Sequence, residues 1–189
     1  DESIQLLEAV DEPNQARDYC ILTLFLNCGL RISELVSLNT TDVREEQLRV
    51  LGKGNKERMI FLNEACRAAL DDWLEERSRQ AAADPNALFL TRTHTRMTKD
   101  AVHYMVKQRL KKAGLDASLY SSHKLRHTAA TLMLQNGVDV RTLQEVLGHE
   151  NLNTTQIYTH VDNENLRSAA KANPLGRMKK KSTPIPPGK

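Results

Sequence analysis

One tyrosine stands out for its company. Tyr158 closes a polar stretch, Glu150-Asn151-Leu152-Asn153-Thr154-Thr155-Gln156-Ile157, and is flanked by His149 and His160. Upstream, Ser122-His123-Lys124-Leu125-Arg126-His127 gathers further basic side chains on one helical turn. A tyrosine hydroxyl is a poor nucleophile near neutrality because its unperturbed pKa is about 10. Fixed cations around such a hydroxyl serve either to activate it or to hold an anion.

Other chemistries fit less well. His123 and His127 have the i, i+4 spacing that can ligate zinc, but Lys124 stands where H-E-x-x-H needs a glutamate. An arginine between the histidines and no acidic third ligand nearby make a metal cation unwelcome, so no metal is expected. No nucleophile-elbow sequence supports a serine hydrolase, and Glu145 and Glu150 lack partners for paired-carboxylate catalysis. Gly52-Lys53-Gly54-Asn55-Lys56 has turn chemistry but not the spacing of a Walker-type phosphate loop. Lys53, Lys56 and Arg58 around these glycines form either a solubilising tip or a contact to a phosphate backbone. Residues 123–147 also read as helix, Asn-Gly turn, helix, similar to a helix-turn-helix DNA reader. That reading accounts for the basic residues and leaves Tyr158 unexplained.

These groups must be positioned by elements that the hydrophobic pattern reveals. Ile4, Leu6 and Leu7 mark a short helix over 3–10. Ile21, Leu24, Phe25 and Cys28, widened by Leu22 and Leu26, predict a helix over 16–28 with most faces buried. Asn14 is its expected cap, and Gly29 its terminator. A short helix follows over 31–38, with Arg31 and Glu34 as surface neighbours. An isolated pair of this kind is usually a solvated ion pair. Here a guanidinium directly after a glycine turn is well placed to be held. The period then shifts to two, giving a β-hairpin over roughly 43–62.

Asn63 caps a helix to about residue 80 that carries Trp73 on its apolar stripe, where core packing outweighs base stacking. Residues 87–90 read as a short strand. Thr98 caps a helix over 99–112, packed through Val102, Met105, Val106 and Leu110. Its exposed side offers His103, Lys107, Arg109, Lys111 and Lys112, either a solvated face or one lying along DNA. Ser121 or Ser122 opens a helix over 123–135, with His123, Arg126 and His127 on one face and Leu125, Ala129 and Leu132 opposite. Asp139 caps the next helix, closed by Gly148, and Asn153-Thr154-Thr155 opens a short one leading to Tyr158. Asp162 caps a last helix over 164–172.

Composition sets the outer limits. With 189 residues, 40% hydrophobic and 27% charged, the chain reads as one globular domain with a tail. No apolar run reaches membrane-spanning length. The odd cysteine count and the apolar setting of Cys20 and Cys28 point to buried free thiols in a reducing cytoplasm. The net charge of +3 is carried by a basic tail, so bulk charge does not by itself announce nucleic acid binding. Residues 173–189 are expected to be that tail, polar, basic and disordered. The chain opens on Asp1 rather than methionine, which leads us to expect that residues precede it.

Five motifs in order carry a resemblance: Cys28-Gly29-Leu30-Arg31-Ile32-Ser33-Glu34-Leu35, Gly52-Lys53-Gly54-Asn55-Lys56-Glu57-Arg58, His123-x-x-Arg126-His127, Leu147-Gly148-His149, and Thr154-Thr155-x-x-Tyr158-x-His160. Together they are similar to the catalytic motifs of tyrosine recombinases, the phage-integrase family, and most of all to its Xer-like members. The resemblance implies a mainly helical domain with a small antiparallel sheet, like the tyrosine recombinase and type IB topoisomerase catalytic core, over residues 1–172. It implies that Tyr158 is the nucleophile on a DNA phosphodiester, that Arg31 and Arg126 hold the nonbridging oxygens, and that Lys53 protonates the leaving oxygen. By the same resemblance His123 handles the tyrosine proton, His149 bonds the phosphate, and Glu34 supports its neighbours.

For His127 and His160 a supporting role is expected. Lys56, Arg58, Lys107 and Lys111 are candidates for the DNA backbone. No metal or nucleotide cofactor is implied. The expected partners are a double-stranded recombination site and, on DNA, three further copies of the protein, with the helix over 164–172 docking in trans; folding back in cis is the alternative. The family's N-terminal core-binding domain is expected to lie outside this chain, which alone is expected to be a monomer.

Overall fold

Ile21, Leu22, Leu24, Phe25 and Leu26 are all shut off from solvent, so the helix that bears them, α2 (Gln15–Cys28), has no aqueous face. It is the axle of the domain. In the computed structural model, which describes residues 2–10, 14–148 and 163–180, α1 (Glu2–Glu8), α4 (Glu64–Ser78) and α6 (Ser122–Gln135) pack around α2. Trp73 of α4 stacks on Phe89 with ring centroids 6.2 Å apart, and its indole nitrogen donates to Leu88 O at 2.9 Å. Trp73 is therefore a core residue. Cys20, Cys28 and Cys66 are buried and free, with Cys28 and Cys66 sulfurs 3.7 Å apart.

The remaining elements are α3 (Ile32–Ser37), the antiparallel hairpin β1 (Gln47–Leu51) and β2 (Glu57–Phe61), α5 (Lys99–Lys112), α7 (Val140–Leu147) and α8 (Asn163–Ala172). The fold is mainly helical with one small two-stranded sheet. Among the described residues no helix is long and apolar enough to cross a membrane. Capping chemistry sets most helix starts. Asn63 accepts from Cys66 N, Thr98 from Ala101 N, Ser121 from Lys124 N, and Asp139 from Arg141 N and Thr142 N. Asn14 departs from expectation: it takes a left-handed conformation at φ 64° and makes no side-chain cap bond. Residues 87–90 are buried but form only isolated bridges, Asn39 with Ala87 and Leu90 with Arg96, instead of a strand.

Two surface expectations are corrected. Arg109 does not lie on the open side of α5. It is buried, and its Nε and Nη2 donate to Asp18 Oδ2 at 2.8 and 2.6 Å, while Asp18 Oδ1 takes Arg17. A carboxylate 91 residues away in the chain draws the guanidinium inward, because burying either charge alone would be costly. The tail also does not begin at residue 173. Asn173 donates to Leu26 O at 2.9 Å and accepts from Leu175 N at 2.9 Å. A 3₁₀ turn, Pro174–Arg177, then inserts Leu175 into the main core. Residues 181–189 lie outside the described part.

The last helix folds back on its own domain. Ala169 joins Met133, Val138, Leu143 and Leu147 in a second small core, Ala170 O accepts from Asn63 Nδ2 at 3.0 Å, and the Arg167 guanidinium lies 4.9 Å from the Phe61 ring centroid. Since Leu175 fills a closed core site, Leu175→Ala is expected to cost about 2–5 kcal/mol. A urea titration reads this as a lower midpoint at unchanged slope, and ending the chain after Ala172 lowers the midpoint at least as far.

Candidate active site

Glu34 sits one helical turn into α3, and it is 2% exposed. A lone carboxylate at that depth would be strongly disfavoured, so its partners define the site. Arg31, the residue that caps α3, donates its backbone N–H to Glu34 Oε2 at 2.8 Å and its Nη1 to Oε1 at 3.2 Å. Arg58 of β2 donates Nη1 to Oε1 at 2.5 Å and Nη2 to Oε2 at 3.1 Å. Burial by itself would raise the carboxyl pKa. The hydrogen bond and charge of Arg58, then the backbone and charge of Arg31, bring it below the ordinary value.

Both arginines, joined by Arg126 of α6, meet the end of α7. Its last carbonyls have no partner within the helix, and each takes a different guanidinium. Val146 O accepts from Arg58 Nε at 3.1 Å, Leu147 O from Arg126 Nη2 at 2.8 Å, and Gly148 O from Arg31 Nη2 at 3.4 Å. Cations belong at this negative end of a helix. Gly148 closes α7 at φ 65°, and a Cβ there would stand 3.0–3.1 Å from the Arg58 guanidinium. Gly29 is equally constrained: at φ 60° it ends α2, and a Cβ would stand 2.5 Å from Leu147 Cδ2. Its carbonyl accepts from Arg126 Nη1. Burial, the charge of Arg31 and then that of Arg58 outweigh the help of Glu34, lowering the Arg126 pKa to about 10. An anion beside Arg31 and Arg126 would relieve that repulsion.

The hairpin reaches the same place through Gly52. Gly52 packs beside Glu34, where a Cβ would lie 3.9 Å from Oε1, and Lys53 and Lys56 are exposed at the tip that follows. Arg58 is not with them. Register pairs Val50 with Arg58 and Leu48 with Ile60, so the pleat puts Arg58 on the inward face. The expected backbone contact is thus corrected to a partner of Glu34. The period-two pattern that identifies the strands could have shown this. On α6, Arg126 is buried beside Leu125, whereas His123 and His127 are exposed. The three do not share one environment. Lys107 and Lys111 are exposed on α5. His149, Tyr158 and His160 lie outside the described residues, as do the expected cap Asp162 and the short helix before the tyrosine.

The cluster gathers three arginines, Arg31, Arg58 and Arg126, about one buried carboxylate and the end of α7. The chain belongs to the phage integrase family, whose model matches residues 1–165. Among relatives it is 54% identical over 178 residues to the tyrosine recombinase XerC of Caldanaerobacter subterraneus subsp. tengcongensis, covering 94% of this chain and 50% of that protein. Among solved structures it is similar to the XerA recombinase, at TM-score 0.73 and 34% identity over 90% of this chain and 62% of that one. It is also similar to the XerH site-specific recombinase bound to its difH substrate before cleavage, at TM-score 0.70 and 30% identity over 89% and 52%. The chain thus spans about half the length of the first of these relatives.

The depressed pKa of Glu34 has a sign. Its ion-pair stability is fully present above the ordinary carboxyl value of 4.5 and fades as pH falls through the lower folded value. Glu34→Gln is expected to cost about 3 kcal/mol at neutral pH, since it takes the carboxylate from the partly buried Arg58 and from Arg31. Urea unfolding of parent and variant at a series of pH values should show that difference shrinking below 4.5.

Proposed function

We propose that the chain is the catalytic domain of a site-specific DNA recombinase that breaks and rejoins strands by transesterification. The observation that carries this reading is the Arg31–Glu34–Arg126 cluster built on the α7 terminus immediately before His149. In the step proposed, Tyr158 Oη attacks a DNA phosphorus, forming a 3′-phosphotyrosyl bond as the P–O5′ bond breaks. The tyrosine proton passes to His123, and Lys53 gives a proton to the departing 5′ oxygen. Arg31 and Arg126 stabilise the extra charge on the nonbridging oxygens, each as a planar fork that stays ionised, and His149 adds a further hydrogen bond. Rejoining runs the step backwards with a new 5′-hydroxyl. Bond energy is kept in the phosphotyrosyl link, so the reaction calls for neither metal nor nucleotide.

Support for a DNA partner comes from the exposed lysines of the hairpin tip and α5, and from XerH, the similar protein solved on its difH substrate. His127 and His160 support the site in this reading, and Lys56, Lys107 and Lys111 face the DNA backbone. On DNA four copies assemble, and α8 leaves its cis berth to dock on a neighbour. Without DNA the chain is a monomer, and it works in the cytoplasm.

The test is covalent capture. Incubated with a pool of nicked duplexes of randomised central sequence, the parent should yield a DNA adduct that survives denaturing gels, and Tyr158→Phe should yield none while still binding DNA. Adduct formed by Tyr158→Phe would sink the assignment. Lys53→Ala should form adduct about 100- to 10000-fold more slowly, the range for loss of a general acid.

A further inference from the structure

All three guanidinium nitrogens of Arg58 donate to acceptors within the protein. Its side chain is 16% exposed against 39% for Arg31, and its described hydrogen bonds all run inward, two to Glu34 and one to Val146 O. It is therefore poorly placed to touch DNA and well placed to fix what does. Its carboxylate partner is the one that holds both the backbone and the guanidinium of Arg31. Its carbonyl partner is next in sequence to Leu147, whose carbonyl holds Arg126. The glycine whose carbonyl takes Arg31 rests against the Arg58 guanidinium itself, close enough that a methyl group there would have to push it aside by a few tenths of an ångström.

We infer that Arg58 is a positioning residue for strand cleavage: one guanidinium ties Glu34 of α3 to the last turn of α7, and so sets the separation and aim of Arg31 and Arg126. The role rests on the recombinase reading above. It takes the geometry of a fork rather than a charge alone. A planar guanidinium can serve two carboxylate oxygens and a carbonyl at once, whereas an ammonium on a flexible stem cannot hold three fixed acceptors at these angles. The strand supplies the rigidity. Arg58 projects from a residue paired in the ladder to Val50, which is fully buried. A fork on a fixed stem transmits small errors directly, and misplacement of reacting groups by about 1 Å can cost on the order of 100-fold in rate.

The experiment compares the parent chain, Arg58→Lys, Glu34→Gln and the double variant on the nicked duplex enriched by covalent capture. Read-outs are equilibrium DNA binding and adduct formation at saturating DNA, at a temperature where circular dichroism shows every variant folded. Arg58→Lys is expected to bind DNA within a few-fold of the parent yet form adduct about 10- to 100-fold more slowly. The double variant should be no slower than the worse single one, because the two residues act through one contact. Cleavage by Arg58→Lys at the parental rate, multiplication of the two single effects in the double variant, or a loss confined to DNA affinity would each overturn the positioning role while leaving the recombinase reading intact. A parent chain that forms no adduct with any duplex of the pool would overturn that reading, and this role with it.

Discussion

The buried carboxylate of Glu34 is the constraint around which the site is arranged. It is too deep to stay ionised without partners, and ionisation is maintained by two arginines from different elements, Arg31 from the entry to α3 and Arg58 from β2. Because each of those arginines also caps a carbonyl of α7, the carboxylate joins three elements that are far apart in sequence. Any displacement of α3, the hairpin or α7 would strand a charge in the interior, a far larger cost than the loss of an exposed ion pair.

The end of α7 answers a second demand. Three guanidiniums in proximity repel one another, and burial depresses the pKa of Arg126. One carboxylate cannot balance them. The carbonyls of Val146, Leu147 and Gly148 supply partial negative charge that needs no counterion and cannot be protonated in the physiological range. The balance still leaves the cluster net positive. That residue of positive potential, with the open side of Arg31, is what a phosphate would meet.

How much of this could be read from the chain follows from how local each cause is. α2 was legible from an apolar run too long for a strand and α5 from the helical period that one-sided burial imposes, while Asn63, Thr98, Ser121 and Asp139 were legible because a cap is a three-residue event. Arg109 was misread because its partner, Asp18, belongs to another helix; one-dimensional charge patterning treats every arginine on a polar stripe as solvated. The segment after α8 was misread because a proline and a basic run suggested an unfolded tail, while a single asparagine and a single leucine are enough to pin a short turn when a vacancy in the core is waiting for them. The motif arginines and lysine were named from their pattern, but that pattern holds no record of Arg58 turning inward. Alternation in β2 does hold it, once Ile60 is taken as the inward reference.

The register of the hairpin also bears on how this domain can change over evolutionary time. A side chain in a strand faces one way or the other with no intermediate setting. Insertion of one residue between Arg58 and Ile60 would leave the site arginine and the core isoleucine on opposite faces, and no point substitution would restore both. Residues may accordingly be gained or lost between Gly52 and Lys56, where the chain turns through solvent, with little penalty to the interior. Lineages descended from such a domain should therefore record their length changes at the tip, and keep the two strands at constant length.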